Sequence, residues 1–108
     1  MTNCIWHLLL TDIVAIEKHY TMVRSGTTFD FYDDVVPFVQ TIDAHLLHFQ
    51  NTVPPDSIQT SPQYTRIINL LKTLSVVCHD VRTSKKHFYD QLKTVKHDVL
   101  FLQQQVGK

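Results

Sequence analysis

The chain has few of the residues that form tight turns, disulfide frameworks or carboxylate-rich metal sites. Its 108 residues include two glycines, four prolines, two cysteines and a single glutamate. An all-β fold needs far more turn-forming residues, so this class of fold is excluded. The di-iron sites of helical bundles use Glu-x-x-His motifs, and no histidine lies three residues after Glu17. A di-iron bundle enzyme is therefore not expected.

The cysteines form no familiar metal-binding pattern. Cys4 and Cys78 lie far apart and belong neither to a CxxC motif nor to a zinc-finger spacing. Cys78 falls on the apolar stripe of a predicted helix, which favours a buried, reduced thiol. The next residue, His79, would point about 100° away around a continuing α-helix. We therefore expect no Cys–His pair at these neighbouring positions.

The N-terminal apolar run does not lead us to expect a targeting segment. The apolar residues at positions 5–10 follow no basic residue, and Asp12 ends the run. The run is too short to cross a bilayer and lacks the flanks of a signal peptide. We expect a cytoplasmic protein without a membrane partner.

The composition is that of a globular domain, and its charge is divided unevenly along the chain. Hydrophobic residues make up 44% and charged residues 19%, which predicts one domain spanning residues 1–108. Residues 1–53 contain two basic and six acidic residues, whereas residues 54–108 contain eight basic and four acidic ones. The resulting net charges of −4 and +4 favour attraction between the two halves or with a second copy of the chain.

Apolar residues recur at steps of three and four in four segments, which predicts four α-helices. The first stripe is Ile5, Leu9, Ile13, Ile16, Tyr20 and Val23, and the second is Phe31, Val35, Phe38 or Val39, Ile42, Leu46 and Phe49. The third is Tyr64, Ile67, Leu71, Leu74, Cys78 and Val81, and the fourth is Phe88, Leu92, Val95, Val99, Leu102 and Val106. Short links make neighbouring helices antiparallel, so the predicted fold is an all-α, four-helix up-and-down bundle.

Turn and capping residues place the ends of these helices. The first helix is predicted over residues 3–24, with Gly26 as its stop signal. A loop over residues 51–61 contains Pro54-Pro55, and Ser61-Pro62 opens the third helix. A short link at residues 82–84 leads to the fourth helix, with Thr83 or Ser84 as its cap.

Pro37 lies inside the second stripe. Proline removes one backbone hydrogen bond from a helix, so we predict a second helix that begins at residues 28–30 and is kinked at Pro37. Asp33 and Asp34 would then lie in its first turns, where the helix dipole favours negative charge. The alternative is a helix that begins only near Pro37, after an aromatic turn.

Seven histidines are the one compositional sign of metal chemistry. His45 and His48 lie three residues apart on the second predicted helix, where they could chelate an ion together with Asp43. Helix geometry turns His48 towards water, and most other histidines also lie outside the stripes. These three residues are therefore weak metal candidates. No cofactor and no catalytic residue is expected, which argues against an enzyme.

Two groups of side chains lie outside the stripes. Spare aromatic residues can mark a partner surface, and here they are Trp6, Phe29, Tyr32 and Phe101. A basic patch near the start of the fourth helix could bind phosphate, and it comprises Arg82, Lys85, Lys86 and His87. Nucleic-acid-binding proteins usually carry more net positive charge, which favours a solvated face or a contact with the acidic half instead.

Two segments resemble a known family. The run Phe29-Asp30-Phe31-Tyr32-Asp33-Asp34-Val35-Val36-Pro37-Phe38 is similar to the start of the second helix in the YppE-like family of small bacterial proteins of unknown function. Lys85-Lys86-His87-Phe88 is similar to the entry of that family's last helix. The resemblance implies a four-helix up-and-down bundle with the proline inside its second helix. It implies no activity, cofactor or catalytic residue.

Regular stripes, spare aromatics and divided charge together favour a non-enzymatic interaction or scaffold protein. Its partner would be an unidentified protein or a second copy of the chain, in a homo-oligomer. One alternative is a metal-dependent bundle enzyme that uses histidine and aspartate. The other is weak binding of phosphate or nucleic acid through the Lys85-Lys86 patch, although nucleic acid is not the expected partner.

Overall fold

Four long helices joined by turns make up the part of the chain that can be described. The structure is a computed structural model and describes residues 4–53 and 58–106. The helices are α1 (Cys4–Arg24), α2 (Val36–Thr52), α3 (Pro62–Val77) and α4 (Lys85–Val106). A π-helical turn over Phe31–Val35, called the π turn below, leads directly into α2. No strand occurs within the described residues, and the predicted all-α fold is confirmed.

Aromatic contacts show that the helices alternate in direction. Trp6 at the start of α1 packs edge-on against Phe49 near the end of α2, with ring centroids 5.4 Å apart. Phe49 in turn stacks on Tyr64 at the start of α3. At the opposite end of the bundle, Tyr20 of α1 stacks on Phe88 of α4 at 3.9 Å. Since α1 also packs against α4, the up-and-down bundle is closed.

The predicted stripes form the core of the bundle. All six residues of the first stripe are buried, as are most residues of the other three, whereas Phe38 and Val39 of the second are partly buried. Three residues at stripe ends were wrongly assigned to the core, since Phe31, Val81 and Val106 are exposed. Phe31 lies in the π turn, where wider winding changes the angular step between residues. Val81 lies beyond the end of α3, and Val106 lies at the last described turn of α4.

The helix ends use the capping residues that the sequence predicts. Ser61 accepts a hydrogen bond from the backbone N–H of Tyr64 at 3.2 Å, and Gly26 after α1 has a φ of +106°. Ser84, rather than Thr83, caps α4, because its hydroxyl accepts from the N–H of His87. The link before α4 is longer than predicted, since α3 already ends at Val77. The predicted Pro54-Pro55 turn lies outside the described residues.

The chain is helical through Pro37, and its winding changes there. The N–H of Val36 bonds to the carbonyl of Phe31, five residues back, whereas α2 continues with the ordinary four-residue spacing. Pro37 occupies the first turn of α2, where its missing N–H costs little. The predicted irregularity at Pro37 therefore takes the form of a π turn that precedes an α-helix. The alternative is correct in one respect, since the α-helical part begins next to Pro37.

Among the described residues, none of the helices combines the length and the apolarity that crossing a bilayer requires.

Candidate functional site

Two histidines and a cysteine converge at the end of the bundle where α1 and α3 finish. His19 lies in the penultimate turn of α1, and Cys78 and His79 directly follow α3. The Nδ1 atom of His19 and the Nε2 atom of His79 share a hydrogen bond of 2.7 Å. The Sγ atom of Cys78 lies 3.5 Å from the nearer ring nitrogen of His79. We call these three residues the His–Cys cluster.

The turn that ends α3 creates the pairing of Cys78 with His79. The backbone N–H groups of His79 and Asp80 bond to the carbonyls of Val76 and Val77, three residues back, so the chain leaves the α-helix here. The expectation that His79 points away from Cys78 assumed a continuing helix and is wrong. His19 was missed as well, although it lies three residues after Ile16 of the first stripe. A histidine at that spacing was the available signal.

Aromatic rings enclose the cluster. The imidazole of His19 lies between the rings of Phe29 and Phe38, with centroid distances of 4.7 and 4.2 Å. Both phenylalanines also meet the ring of His79 edge-on. Phe29 was predicted as part of a partner surface, but it is half-buried and packs against these histidines instead. The imidazoles therefore lie in largely apolar surroundings.

These surroundings keep all three groups uncharged at neutral pH. Burial lowers the pKa of His19, which the neighbouring His79 lowers further. Burial also lowers the pKa of His79. Burial raises the pKa of the Cys78 thiol to about 12. Two neutral imidazoles and a protonated thiol result, so the cluster offers two nitrogen donors and one sulfur donor.

The metal candidates proposed on α2 do not come together. His45 points to α1, where its Nδ1 atom lies 2.7 Å from Oδ2 of the buried Asp12. His48 is exposed and contacts Thr52 of its own helix, while Asp43 is also exposed. The three side chains do not converge, because His45 faces α1 whereas Asp43 and His48 face solvent. His45 thus connects two helices, and the pKa of Asp12 is raised by burial.

The basic patch is exposed but partly neutralised. Arg82 pairs with Asp80, and Lys86 pairs with Asp90 at 2.8 Å. Lys85 is exposed and lines a cleft of about 230 Å³ beside α1. The predicted patch therefore lies at the surface, and two of its three lysine and arginine side chains are already paired with nearby acids.

Of the other spare aromatics, Trp6 was wrongly assigned to the surface. It is only 5% exposed and packs edge-on against Phe49. Phe101 is 38% exposed and Tyr32 is 78% exposed, so both reach solvent. Tyr32 packs edge-on against Phe31, which is exposed too.

An exposed apolar surface borders the His–Cys cluster. A cleft of about 370 Å³ is lined by Phe31, Val76 and Val81, with His79 at its edge. Tyr32 extends this surface along the π turn. The four exposed residues are called the apolar patch below, and they are Phe31, Tyr32, Val76 and Val81. Sequence periodicity assigned Phe31 and Val81 to helix interiors and gave Val76 no role, so it missed three of the four.

The chain is similar to a known bacterial family and to solved structures. The profile of the family described as "Bacterial domain of unknown function (DUF1798)" matches residues 7–106. A crystal structure of a DUF1798-family domain from Staphylococcus aureus is 28% identical, covers 92% of this chain and 90% of that chain, and has a TM-score of 0.80. A protein of unknown function from Listeria innocua is 20% identical, covers 98% and 90% of the two chains with a TM-score of 0.84, and supports the fold alone. No curated protein sequence matches the chain significantly.

Proposed function

This chain belongs to the bacterial DUF1798 family of unknown function, and from that premise we propose that it is a non-enzymatic cytoplasmic bundle that docks a basic, apolar segment of a partner protein. The observation that carries the proposal is the apolar patch beside a group of acidic residues. Phe31, Tyr32, Val76 and Val81 are each at least half exposed. Folding buries most large apolar side chains of this protein, so a contiguous exposed group is typical of a binding surface.

The charge beside the patch selects the partner. Asp30, Asp33 and Asp34 lie in and next to the π turn, and all three are exposed. Within the described residues, none of them forms an ion pair with a lysine or arginine. Their uncompensated charge attracts a basic segment and repels nucleic acid and acidic lipid. A symmetric contact between two copies would bring the same acids together, which argues against a homodimer through this patch.

The size of the patch sets the expected affinity. Burying one large apolar side chain contributes about 1.5–3 kcal/mol, and these four side chains are already partly covered. Association costs about 4–15 kcal/mol in lost freedom of motion. Only a small surplus remains, so we expect weak, transient binding with a dissociation constant no tighter than the micromolar range.

Two synthetic peptides test this proposal. They carry the same apolar residues, flanked by lysine and arginine in one and by aspartate and glutamate in the other, and binding is followed by fluorescence anisotropy. The basic peptide should bind and should weaken as salt is added, because added ions screen the attraction. The acidic peptide should not bind.

Matched variants locate the binding surface. Phe31→Ser and Val81→Ser should each weaken binding of the basic peptide. Leu47→Ser is the control, because Leu47 is 59% exposed on α2 outside the patch. Equal binding of both peptides, or an equal effect of Leu47→Ser, would contradict the proposal. Light scattering of the protein alone provides a further test. A wild-type dimer that becomes a monomer in Phe31→Ser would assign the patch to a second copy of the chain.

Phosphate or nucleic-acid binding through the Lys85-Lys86 patch is less well supported. Lys86 and Arg82 already pair with acids, so a phosphate would have to compete for them. We also propose that the chain is related to the YppE-like family and that residues 1–108 form one domain. The aromatic and acidic residues of the π turn and the Lys85-Lys86-His87-Phe88 segment support that likeness.

A further inference from the structure

We propose that His19, Cys78 and His79 form a binding site for a thiophilic transition-metal cation, which we assign as Zn²⁺. Among the described residues, this is the group of histidine, cysteine and acidic side chains whose donor atoms converge, with all of them within 4.8 Å of one another. The donors come from two separate helix ends. Such convergence is what a metal site needs, because one ion must contact all its ligands at once.

The spacing of the donors suits a tetrahedral ion. Zinc bonds of about 2.0–2.3 Å place neighbouring ligand atoms about 3.3–3.8 Å apart. The Sγ atom of Cys78 lies 3.9 Å from the Nε2 atom of His79, close to that value. The Nδ1 atom of His19 and this Nε2 atom are 2.7 Å apart, because they share a proton. An entering cation replaces that hydrogen bond. The donor imidazole gives up the shared proton to solvent and takes one up at its other ring nitrogen, so that both lone pairs bind the ion and the two nitrogens separate by roughly half an ångström.

The donor types favour zinc over harder ions. Thiolate and imidazole are ligands of zinc and copper, whereas magnesium and calcium require oxygen ligands. Three protein ligands leave a fourth tetrahedral position for water. When the metal–sulfur bond forms, the thiol proton of Cys78 leaves to solvent, and the sulfur lone pair binds the cation. Asp34 acts electrostatically on both histidines, and its negative charge favours a bound cation.

Neighbouring residues hold the donors in place before any ion arrives. Phe29 and Phe38 clamp the imidazole of His19 between their rings. The backbone N–H of Cys78 bonds to the carbonyl of Leu74 at 3.0 Å, which fixes the start of the turn. The hydroxyl of Tyr20 donates to the carbonyl of Thr83 and anchors the far end of the same turn. Binding therefore requires little ordering of the chain, which favours affinity.

Cobalt substitution tests the site directly. Tag-free protein is stripped with a chelator, kept reduced with a phosphine, and titrated with Co²⁺. We expect one Co²⁺ per chain, a near-ultraviolet thiolate-to-cobalt charge-transfer band, and the intense visible bands of four-coordinate cobalt. Zn²⁺ should then displace Co²⁺ and abolish these bands. Failure of Zn²⁺ to displace Co²⁺ would overturn the zinc assignment.

Variants identify the ligands. Cys78→Ser should abolish the charge-transfer band, and His79→Gln should weaken Co²⁺ binding by more than about 100-fold, since even loss of an outer hydrogen-bond partner costs about 10–100-fold. Cys4→Ser and His48→Gln are the matched controls and should leave the titration unchanged. Circular dichroism establishes that each variant is folded. If Cys78→Ser does not fold, His79→Gln still tests the site, because it removes one ligand and keeps the thiol.

Two results would overturn the proposal. The first is a lack of charge-transfer absorption in the wild type at stoichiometric Co²⁺, which would leave a hydrogen-bonded histidine pair only. The second is a band that survives Cys78→Ser and disappears in Cys4→Ser. The outcome is independent of the peptide experiments, since those use the apolar patch and require no metal.

Discussion

The hydroxyl of Tyr20 connects α1 to the turn that carries His79, and its removal has a calculable effect. The hydroxyl donates to the carbonyl of Thr83 at 3.1 Å, while the tyrosine ring stacks on Phe88. Tyr20→Phe keeps the stacking and removes only the hydrogen bond. A hydrogen bond of this kind contributes about 1 kcal/mol. Arg24 also reaches the Thr83 carbonyl, at 3.4 Å, so that carbonyl is not left without a donor and the loss should not exceed this value.

Urea unfolding followed by circular dichroism measures this loss. For a domain of this size, about 1 kcal/mol corresponds to a shift of about 0.3–1 M in the urea midpoint, and to about 4 °C or more in Tm. Tyr32→Phe is the matched control, because it removes the same hydroxyl from a side chain that is 78% exposed. An unchanged midpoint in Tyr20→Phe, or an equal shift in Tyr32→Phe, would refute the proposed anchoring role.

Three further predictions concern the electrostatics and the backbone. Burial raises the pKa of Asp12 above its ordinary 3.8 against the opposing effect of His45, so the folded state holds this proton more tightly than the unfolded chain. The stability of the wild type relative to Asp12→Asn should therefore be greatest below pH 3.8 and should fall as the pH rises through the raised pKa. Urea unfolding at several pH values measures this difference. A relative gain in stability with rising pH would contradict the prediction. Gly26→Ala should lower the free energy of unfolding by at least about 1 kcal/mol, as thermal unfolding will measure. Gly26 has a φ of +106°, and a Cβ atom added there would meet no atom within 4 Å, so only backbone strain contributes. Arg66→Ala should lower the urea midpoint, because it leaves the carboxylate of Asp98 buried without its bidentate partner. Arg66→Ala/Asp98→Leu removes that carboxylate as well and should restore the midpoint. A double variant as unstable as Arg66→Ala would count against this explanation.

The fold was predictable because apolar periodicity determines which face of each helix is buried. Every residue of the first stripe, from Ile5 to Val23, lies in the core. Gly26 and Ser61 mark helix ends through local backbone geometry, so they too could be identified from sequence alone. Errors are confined to the ends of the stripes, where a helix stops or changes its winding.

The candidate site was not predictable because it depends on where helices end. Ideal helix geometry separates Cys78 from His79, whereas the turn after Val77 brings them together. His19 meets His79 across 60 positions of sequence, and no local pattern reports such a contact. The buried Asp12 and Asp98 gave a readable but overlooked signal, since each lies beside an apolar stripe and needs a partner from another helix.

Nuclear magnetic resonance tests the central claim, that the end of the bundle bearing the π turn is the functional surface. The measurement is a titration of ¹⁵N-labelled protein with the basic peptide, followed through backbone amide shifts. We expect the shifts to concentrate in residues 29–35 and 76–83. Shifts centred on the groove between α1 and α4, which Val14, Lys93 and Lys96 line, would contradict the claim, as would a spectrum that the peptide leaves unchanged.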